Sequence, residues 1–260
     1  MKGKPIKVVH IASSSSGNAC LVSSGETTVL VDCGVPLKTV RERCVRHGID
    51  YESIGAVLLT HDHGDHIKGL GALLNKTQAA VFANQLTAES ASRVCGVDIS
   101  RFYIFENNQE FEFGEFSILP FSVPHDTPDP VGFLVKSPGT TYFHATDIGT
   151  PLASIGDKFS LADIATLESN HDLEMLSKSG RPQSTINRIR GPRGHLSNDD
   201  ACELVKKYAS LRLKRLYLAH LSQDCNDSWC ARMQMEKSLS EIGRSDVELT
   251  VLDACCSHAS

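Results

Sequence analysis

Apolar positions along this chain fall into short blocks, and two spacings take turns from one end to the other. Blocks rich in β-branched and aromatic residues read as strands: "IKVVHIA", "TTVLVDCG", "AVLLTH", "RFYIF", "FSILPFSV", "VGFLVKS", "TTYFHATD", "ADIATLES", "RLYLAHLS" and "VELTVLD". Helical spacing covers about residues 36–47, 67–77, 86–95, 197–210 and 227–242. Pro36 sits where a first-turn proline is tolerated, and Gly48 where a glycine ends a helix. Ser197 followed by Asp200 has the form of a capping box. Many strands with hairpins, interrupted by surface helices, predict sheets packed on each other under helical layers. No repeat, low-complexity tract or long linker divides the chain, so one domain over residues 1–260 is the economical expectation.

Composition changes this picture little. A chain of 260 residues with 41% hydrophobic content can bury a large core. No apolar run approaches the ~18 residues of a membrane span, and "MKGKPIKVVHIASS" lacks the apolar stretch and cleavage site of a secretory leader. A cytoplasmic location is expected. Nine cysteines, at 20, 33, 44, 95, 202, 225, 230, 255 and 256, form no C-x-x-C pair, which fits small reduced core residues. A net charge of −5 gives no global attraction to nucleic acid, so such a partner needs a local basic patch. Aromatics are 6% of the chain with a single tryptophan, Trp229, which favours contact with a phosphate backbone over base stacking.

The chemistry is concentrated in "LLTHDHGDHIKG", where His61, His63, Asp65 and His66 occupy six residues directly after an apolar strand. Solvated histidines on a turn are the bland alternative, but clustered imidazoles without partners are costly, and neutral His with carboxylate suits zinc, manganese or iron. The segment carries H-x-H-x-D-H and resembles the metallo-β-lactamase superfamily. The resemblance continues in order through Asp32 in "VLVDCG", His125 in "SVPHDT", Asp147 in "FHATDIG" and His220 in "LAHLS". It implies a four-layer αββα fold with two mixed sheets. It also implies two divalent ions: one on His61, His63 and His125, a second on Asp65, His66 and His220, with Asp147 between them and Asp32 orienting the ligand loop. His10, His47, His144 and His258 match no motif and are read as structural.

Two such ions imply hydrolysis rather than redox chemistry. Further along, "GHLSNDD" places His195 before a helix, and "ATLESNHD" places Glu168 after the bridging aspartate. This resembles the tRNA-processing nuclease RNase Z, and implies that His195 meets the scissile phosphate and helps Glu168 protonate the leaving oxygen, while Asp65 orients the attacking hydroxide. Over nearly the whole chain the sequence is similar to the YycJ family (also WalJ or VicX) of bacterial nucleases, through "SSSSGNA", "PHDTPDPVGF", "LESNHD", "GHLSN" and "LAHLSQDCND". That family implies 5′-to-3′ exonuclease action on double-stranded DNA. Two departures, serines where the first motif more often has a glycine and "QDCND" for an Asn-Asn pair, touch no metal ligand.

A local basic strip supports a phosphate partner. "SGRPQSTINRIRGPRGH" contains Arg181, Arg188, Arg190 and Arg193 and no acid; read as a loop, it is either a track for a nucleic-acid backbone or a solvated surface. Ser15, Ser16 and Asn18 of the serine loop are candidate anion contacts. His171 and Asp172, beside Glu168, are expected to border the cleft, either supporting the site residues or contacting substrate. Three function classes remain open: a nuclease, including an RNA-processing one; a small-molecule or cyclic-nucleotide phosphodiesterase resembling PhnP; and a non-catalytic binding module, whose expected mark, a missing ligand, is absent. No obligate protein partner and no membrane association are expected.

Overall fold

Thr27–Val31 shows how the strands build the frame: Val29 and Val31 pack into one apolar layer, while Leu30, one residue between, packs into another. Both faces of this strand are therefore buried, as period-two geometry requires when a sheet is covered on each side. The structure, a computed structural model, describes residues 5–25 and 27–252, so His258, Cys255 and Cys256 lie outside it.

In chain order the first six strands are β1 (Lys7–Ala12), β2 (Ala19–Ser24), β3 (Thr27–Val31), β4 (Ala56–Leu58), β5 (Ala80–Ala83) and β6 (Phe102–Ile104). They form one mixed sheet in that order, antiparallel at β1–β2–β3 and parallel from β3 to β6. The helices between them are α1 (Leu37–Arg46), α2 (Gly64–Ile67), α3 (Leu70–Leu74) and α4 (Gln85–Cys95).

The second sheet comprises β7 (Phe111–Phe113), β8 (Phe116–Ser122), β9 (Val131–Ser137), β10 (Thr140–Ala145), β11 (Ile164–Glu168), β12 (Arg215–Ala219) and β13 (Glu248–Val251). It is antiparallel from β7 to β10 and parallel from β10 to β13. Its helices are α5 (Ala153–Phe159), α6 (Leu173–Ser177), α7 (Gln183–Ile189), α8 (Asn198–Tyr208) and α9 (Ser228–Glu241).

Three apolar clusters show the layering. Val22, Val29, Leu58, Phe116, Phe133 and Tyr142 meet between the sheets. Leu30, Val57, Leu70 and Ala88 join the first sheet to its helices. Leu134, Leu167, Leu204 and Met235 join the second sheet to α8 and α9. This is the four-layer αββα arrangement. Cys33 and Cys44 lie in the first helical layer, where burial pushes their thiols up to about 12 and about 11.

The expected helices at 36–47, 86–95, 197–210 and 227–242 are present as α1, α4, α8 and α9. Gly48 follows α1 with φ +65, and both halves of the Ser197–Asp200 capping box form at α8. The helix expected over 67–77 is two short ones, α2 and α3. The break falls at Gly69, whose N–H goes to Cys33 O at 2.8 Å instead of back along a helix. A Cβ there would lie 2.0 Å from Val35 O, so the chain needs glycine to pass this close to the β3–α1 loop. The strip around Arg188, read as a loop, is partly helical in α7. Helices α5, α6 and α7 span only five to seven residues, too few turns to leave a readable period.

Candidate active site

The site is assembled at the ends of strands. Asp32 follows β3, His61 and His63 follow β4, His125 follows β8, Asp147 follows β10, Glu168 ends β11, and His220 follows β12. Three of these turns are backbone-strained, because Asp32, Asp147 and His220 take left-handed φ values of 58, 57 and 58. Such a conformation disfavours a side-chain-bearing residue and persists where surrounding contacts enforce it, which is common where side chains must be aimed. For His220 the enforcing contacts are visible: its backbone N–H donates to Ser13 Oγ at 2.8 Å, and its carbonyl accepts from Asn170 Nδ2 at 2.8 Å.

The histidines share one orientation. His66 Nδ1 donates to Asp32 Oδ2 at 2.8 Å, His125 Nδ1 to Gly194 O at 3.0 Å, and His220 Nδ1 to Glu168 Oε1 at 2.9 Å. His61 Nδ1 meets Thr60 Oγ1 at 2.9 Å, and that hydroxyl donates to Asp32 Oδ2 at 2.8 Å. Carboxylates and carbonyls only accept, so the proton sits on Nδ1 and Nε2 is left to face the centre. His61 Nε2 and His220 Nε2 are buried there without a hydrogen-bond partner among the described residues.

Two buried, orphaned imidazole nitrogens fit a cation ligand and fit little else. His61, His63 and His125 bring ligand atoms within 4.8 Å of one another, as do Asp65, His66 and His220; Asp147 joins His61 and His66 in a third such group. A fourth group, Asp147, Glu168, His195 and His220, differs because Glu168 is already hydrogen-bonded to both histidines.

Glu168 has no exposed surface. Its Oε1 accepts from His195 Nδ1 at 2.8 Å as well as from His220, and its Oε2 accepts from the N–H groups of Ile148 and Leu196 at 2.7 and 3.1 Å. Burial pushes its pKa up, but His195 and then His220 outweigh burial and bring it down to about 2. Burial by itself would keep His195 neutral; the Glu168 carboxylate overrides it and raises the pKa. Asp147 is likewise held well below the usual range by His220 and His66, against desolvation. Asp147 and Glu168 are thus held as carboxylates in a dehydrated centre, with the surrounding histidines balancing their charge.

A family model described as "Beta-lactamase superfamily domain" matches residues 27–221. The chain is 32% identical over 234 residues to an exodeoxyribonuclease YycJ of Bacillus anthracis, covering 90% of this chain and 89% of that protein. The chain belongs to the YycJ/WalJ family of metallo-β-lactamase-fold proteins. Its relatives include an exodeoxyribonuclease WalJ of Streptococcus pneumoniae, 32% identical over 89% of this chain and 87% of that one. Among solved structures, the metallo-β-lactamase-fold protein YhfI of Bacillus subtilis shares the fold with a TM-score of 0.73 at 19% identity, over 96% of this chain and 97% of that one. As a member of this family the protein is a metal-dependent hydrolase. No described helix is long and apolar enough to cross a membrane.

The cleft over the cluster, about 250 Å³, is lined by Ser15, His63, Asp65, His125, Asp147, Arg181, Arg188 and His195 among others. The other residues singled out in the sequence lie elsewhere. Ser16 lines a neighbouring pocket. Asn18 is buried, with Nδ2 on Asp65 Oδ2 at 3.1 Å and His66 Nε2 at 3.0 Å, so it contacts the carboxylate and the ring rather than the open cleft. Arg190 is exposed and Arg193 spends its guanidinium on the carbonyls of His125 and Thr127, at 2.7 and 3.2 Å. Asp172 caps α6, and His171 is buried beside Ser197. His10 and His144 lie behind the site in an inter-sheet network with Thr166 and Tyr142.

Two residues escaped sequence reasoning. Thr60 accepts from and donates to the ligand framework, and only its place just before the histidine motif hinted at it. Asp126 lies 3.2 Å from His125 Nε2 and 2.5 Å from Arg188, and no local pattern marks a partner 62 residues away.

Proposed function

We propose that this protein is a dinuclear phosphodiesterase acting on nucleic acid, with duplex DNA degraded from the 5′ end as its main activity. The observation that carries the reading is the pairing of Glu168 with His195 on the wall of the same cleft that holds the orphaned ligand nitrogens. His61, His63 and His125 would hold one divalent ion and Asp65, His66 and His220 a second, with Asp147 placed to serve both; zinc or manganese suits this donor set, and iron is compatible with it. Ions bound there would supply Lewis acidity and an activated water.

The protein's own groups do the rest. Asn18 fixes the Asp65 carboxylate toward the centre, which lets Asp65 orient the attacking water. Glu168 is a buried anion with all its donors in place, so it acts as the group that orients His195 and keeps it protonated. His195 is then the proton donor to the leaving oxygen, which revises the role expected for Glu168. Arg181 and Arg188 line the rim, paired with Asp224 and Asp126 at 2.7 and 2.5 Å, and exchange these aspartates for the phosphate backbone when it binds.

A polymer suits the cleft better than an enclosed small molecule. Its volume of about 250 Å³ lies below the ~300–1,000 Å³ of ordinary ligand pockets, so the scissile unit enters while the rest of the substrate lies outside. The names of the relatives, exodeoxyribonucleases, favour DNA. A cytoplasmic location accords with that substrate.

The test is an end-labelled digestion of blunt duplex DNA, single-stranded DNA and RNA with manganese or zinc. Early release of 5′-labelled mononucleotides from the duplex is expected. Early release of the 3′ label would reverse the polarity. Turnover restricted to short diesters would replace the nuclease reading with a small-molecule phosphodiesterase.

A further inference from the structure

Ser15 and Ser16 are adjacent, yet they face different spaces. Ser15 lines the catalytic cleft, and Ser16 lines a second pocket of about 270 Å³ together with Ser14, Gly17, Thr39, Arg43 and Arg46. The serine loop is therefore a saddle between two openings. It is a firm one: Ser16 N–H donates to Ser14 Oγ at 3.1 Å, Gly17 N–H to Ser14 O at 3.0 Å, and Asn18 Oδ1 accepts from Ser14 N–H at 3.1 Å. From the other side, Lys68 Nζ donates to Ser16 O at 2.5 Å.

The far wall of the second pocket is a face of α1. Thr39, Arg43 and Arg46 recur at i, i+4 and i+7, which places them on one side of the helix. The pocket's acid, Glu42, lies 3.9 Å from Lys38. Lys7 adds to the cationic character, with Nζ donating to His47 O at 3.3 Å. His47 registers the result: burial lowers its pKa first, and Lys7, Arg43 and Arg46 each lower it further. Beyond the saddle, then, the surface has concentrated positive charge, although the chain as a whole is acidic.

We propose that this pocket is a second phosphate subsite, in which Arg43, Arg46 and the Ser16 hydroxyl hold the backbone of the nucleic acid beyond the scissile phosphate. It rests on the nucleic-acid reading given above and extends it to a path: Arg181 and Arg188 on one bank of the metal cleft, the serine saddle, then α1. Arginine forks match phosphate oxygens, and a small hydroxyl at the crest lets the backbone pass closely. Contacts of this kind position a strand without reading its bases, which suits a chain with only 6% aromatic residues.

The test is equilibrium binding of a fluorescent blunt duplex with cleavage-resistant phosphorothioate linkages to the metal-loaded full chain, across a salt series. Each phosphate contact contributes about 0.9 to the slope of log K against log salt, so R43A/R46A should reduce the slope by about 1.8 and weaken binding roughly tenfold or more. Should the double variant fold poorly by circular dichroism, the exposed Arg46→Ala alone should reduce it by about 0.9. Slopes equal to wild type in the folded variants would overturn the subsite, as would a wild-type protein that binds no duplex. If the slopes fall as expected while the metal-loaded wild type cleaves no nucleic acid, the subsite stands and the nuclease reading fails.

Discussion

Glu168 Oε1 and His195 Nδ1 are joined by a 2.8 Å hydrogen bond at the wall of the cleft, and the same oxygen takes a 2.9 Å bond from His220. One carboxylate thus couples the proposed proton donor to a proposed metal ligand. Its second oxygen is occupied by two backbone N–H groups, which leaves it no free direction toward a substrate.

From this coupling the two residues should fail differently. His195→Ala should retain the metals and the fold while cutting phosphodiester cleavage by roughly 10²- to 10⁴-fold, and a substrate with sulfur as the bridging leaving atom should recover most of that loss. Glu168→Gln should lose activity and also weaken metal affinity by roughly 10- to 100-fold, because His220 loses its anionic partner, so sulfur should rescue it only in part. Elemental analysis and kinetics on both substrates check this. Loss of a metal from His195→Ala would make that residue a ligand.

Gly34 offers a test of the ligand loop that substitutes none of the proposed ligand residues. A Cβ at this position would sit 1.5 Å from Asp65 O and 2.8 Å from the His66 backbone nitrogen. Gly34→Ala should therefore push the Asp65–His66 segment aside, with a stability cost of about 1–3 kcal/mol typical of overpacking. Wild type should carry two divalent ions per chain by elemental analysis, and Gly34→Ala fewer. Full metal content and an unchanged melting temperature in the variant would show that the loop is not held as closely as described.

The arginines of the strip should separate in their effects. Arg188→Ala should lower the salt slope of duplex binding by about 0.9, since Arg188 lines the cleft. Arg193→Ala should instead lower the melting temperature, because its guanidinium holds two backbone carbonyls around His125. Thermal melts and a salt titration on both variants distinguish the two; identical behaviour would merge them into one role.

His10 predicts a pH dependence unrelated to catalysis. Burial first, and His144 second, bring its pKa from 6.5 down to about 3, so the folded protein keeps it neutral where the unfolded chain protonates. Its contribution is fully present above about pH 6.5 and is lost as pH falls toward 3, amounting to about 2 kcal/mol by pH 5. Urea midpoints measured from pH 8 to pH 5 should decline, and His10→Gln should flatten the decline. Equal slopes in both proteins would remove His10 from the acid sensitivity.

Local spacing was enough to read much of this molecule. The histidine motif after β4, the apolar runs of β3 and β9, and the Ser197–Asp200 cap each depend on residues a few positions apart, and backbone geometry converts such spacing directly into shape. Tertiary structure decided the rest. That Asn18 braces Asp65, that Arg193 supports His125 while Arg188 meets Asp126, and that Glu168 is hydrogen-bonded to His195 follow from contacts spanning 27 to 68 positions. A hydrogen bond between distant positions has no period to announce it, and the charge state of a buried carboxylate is set by the groups that folding places around it.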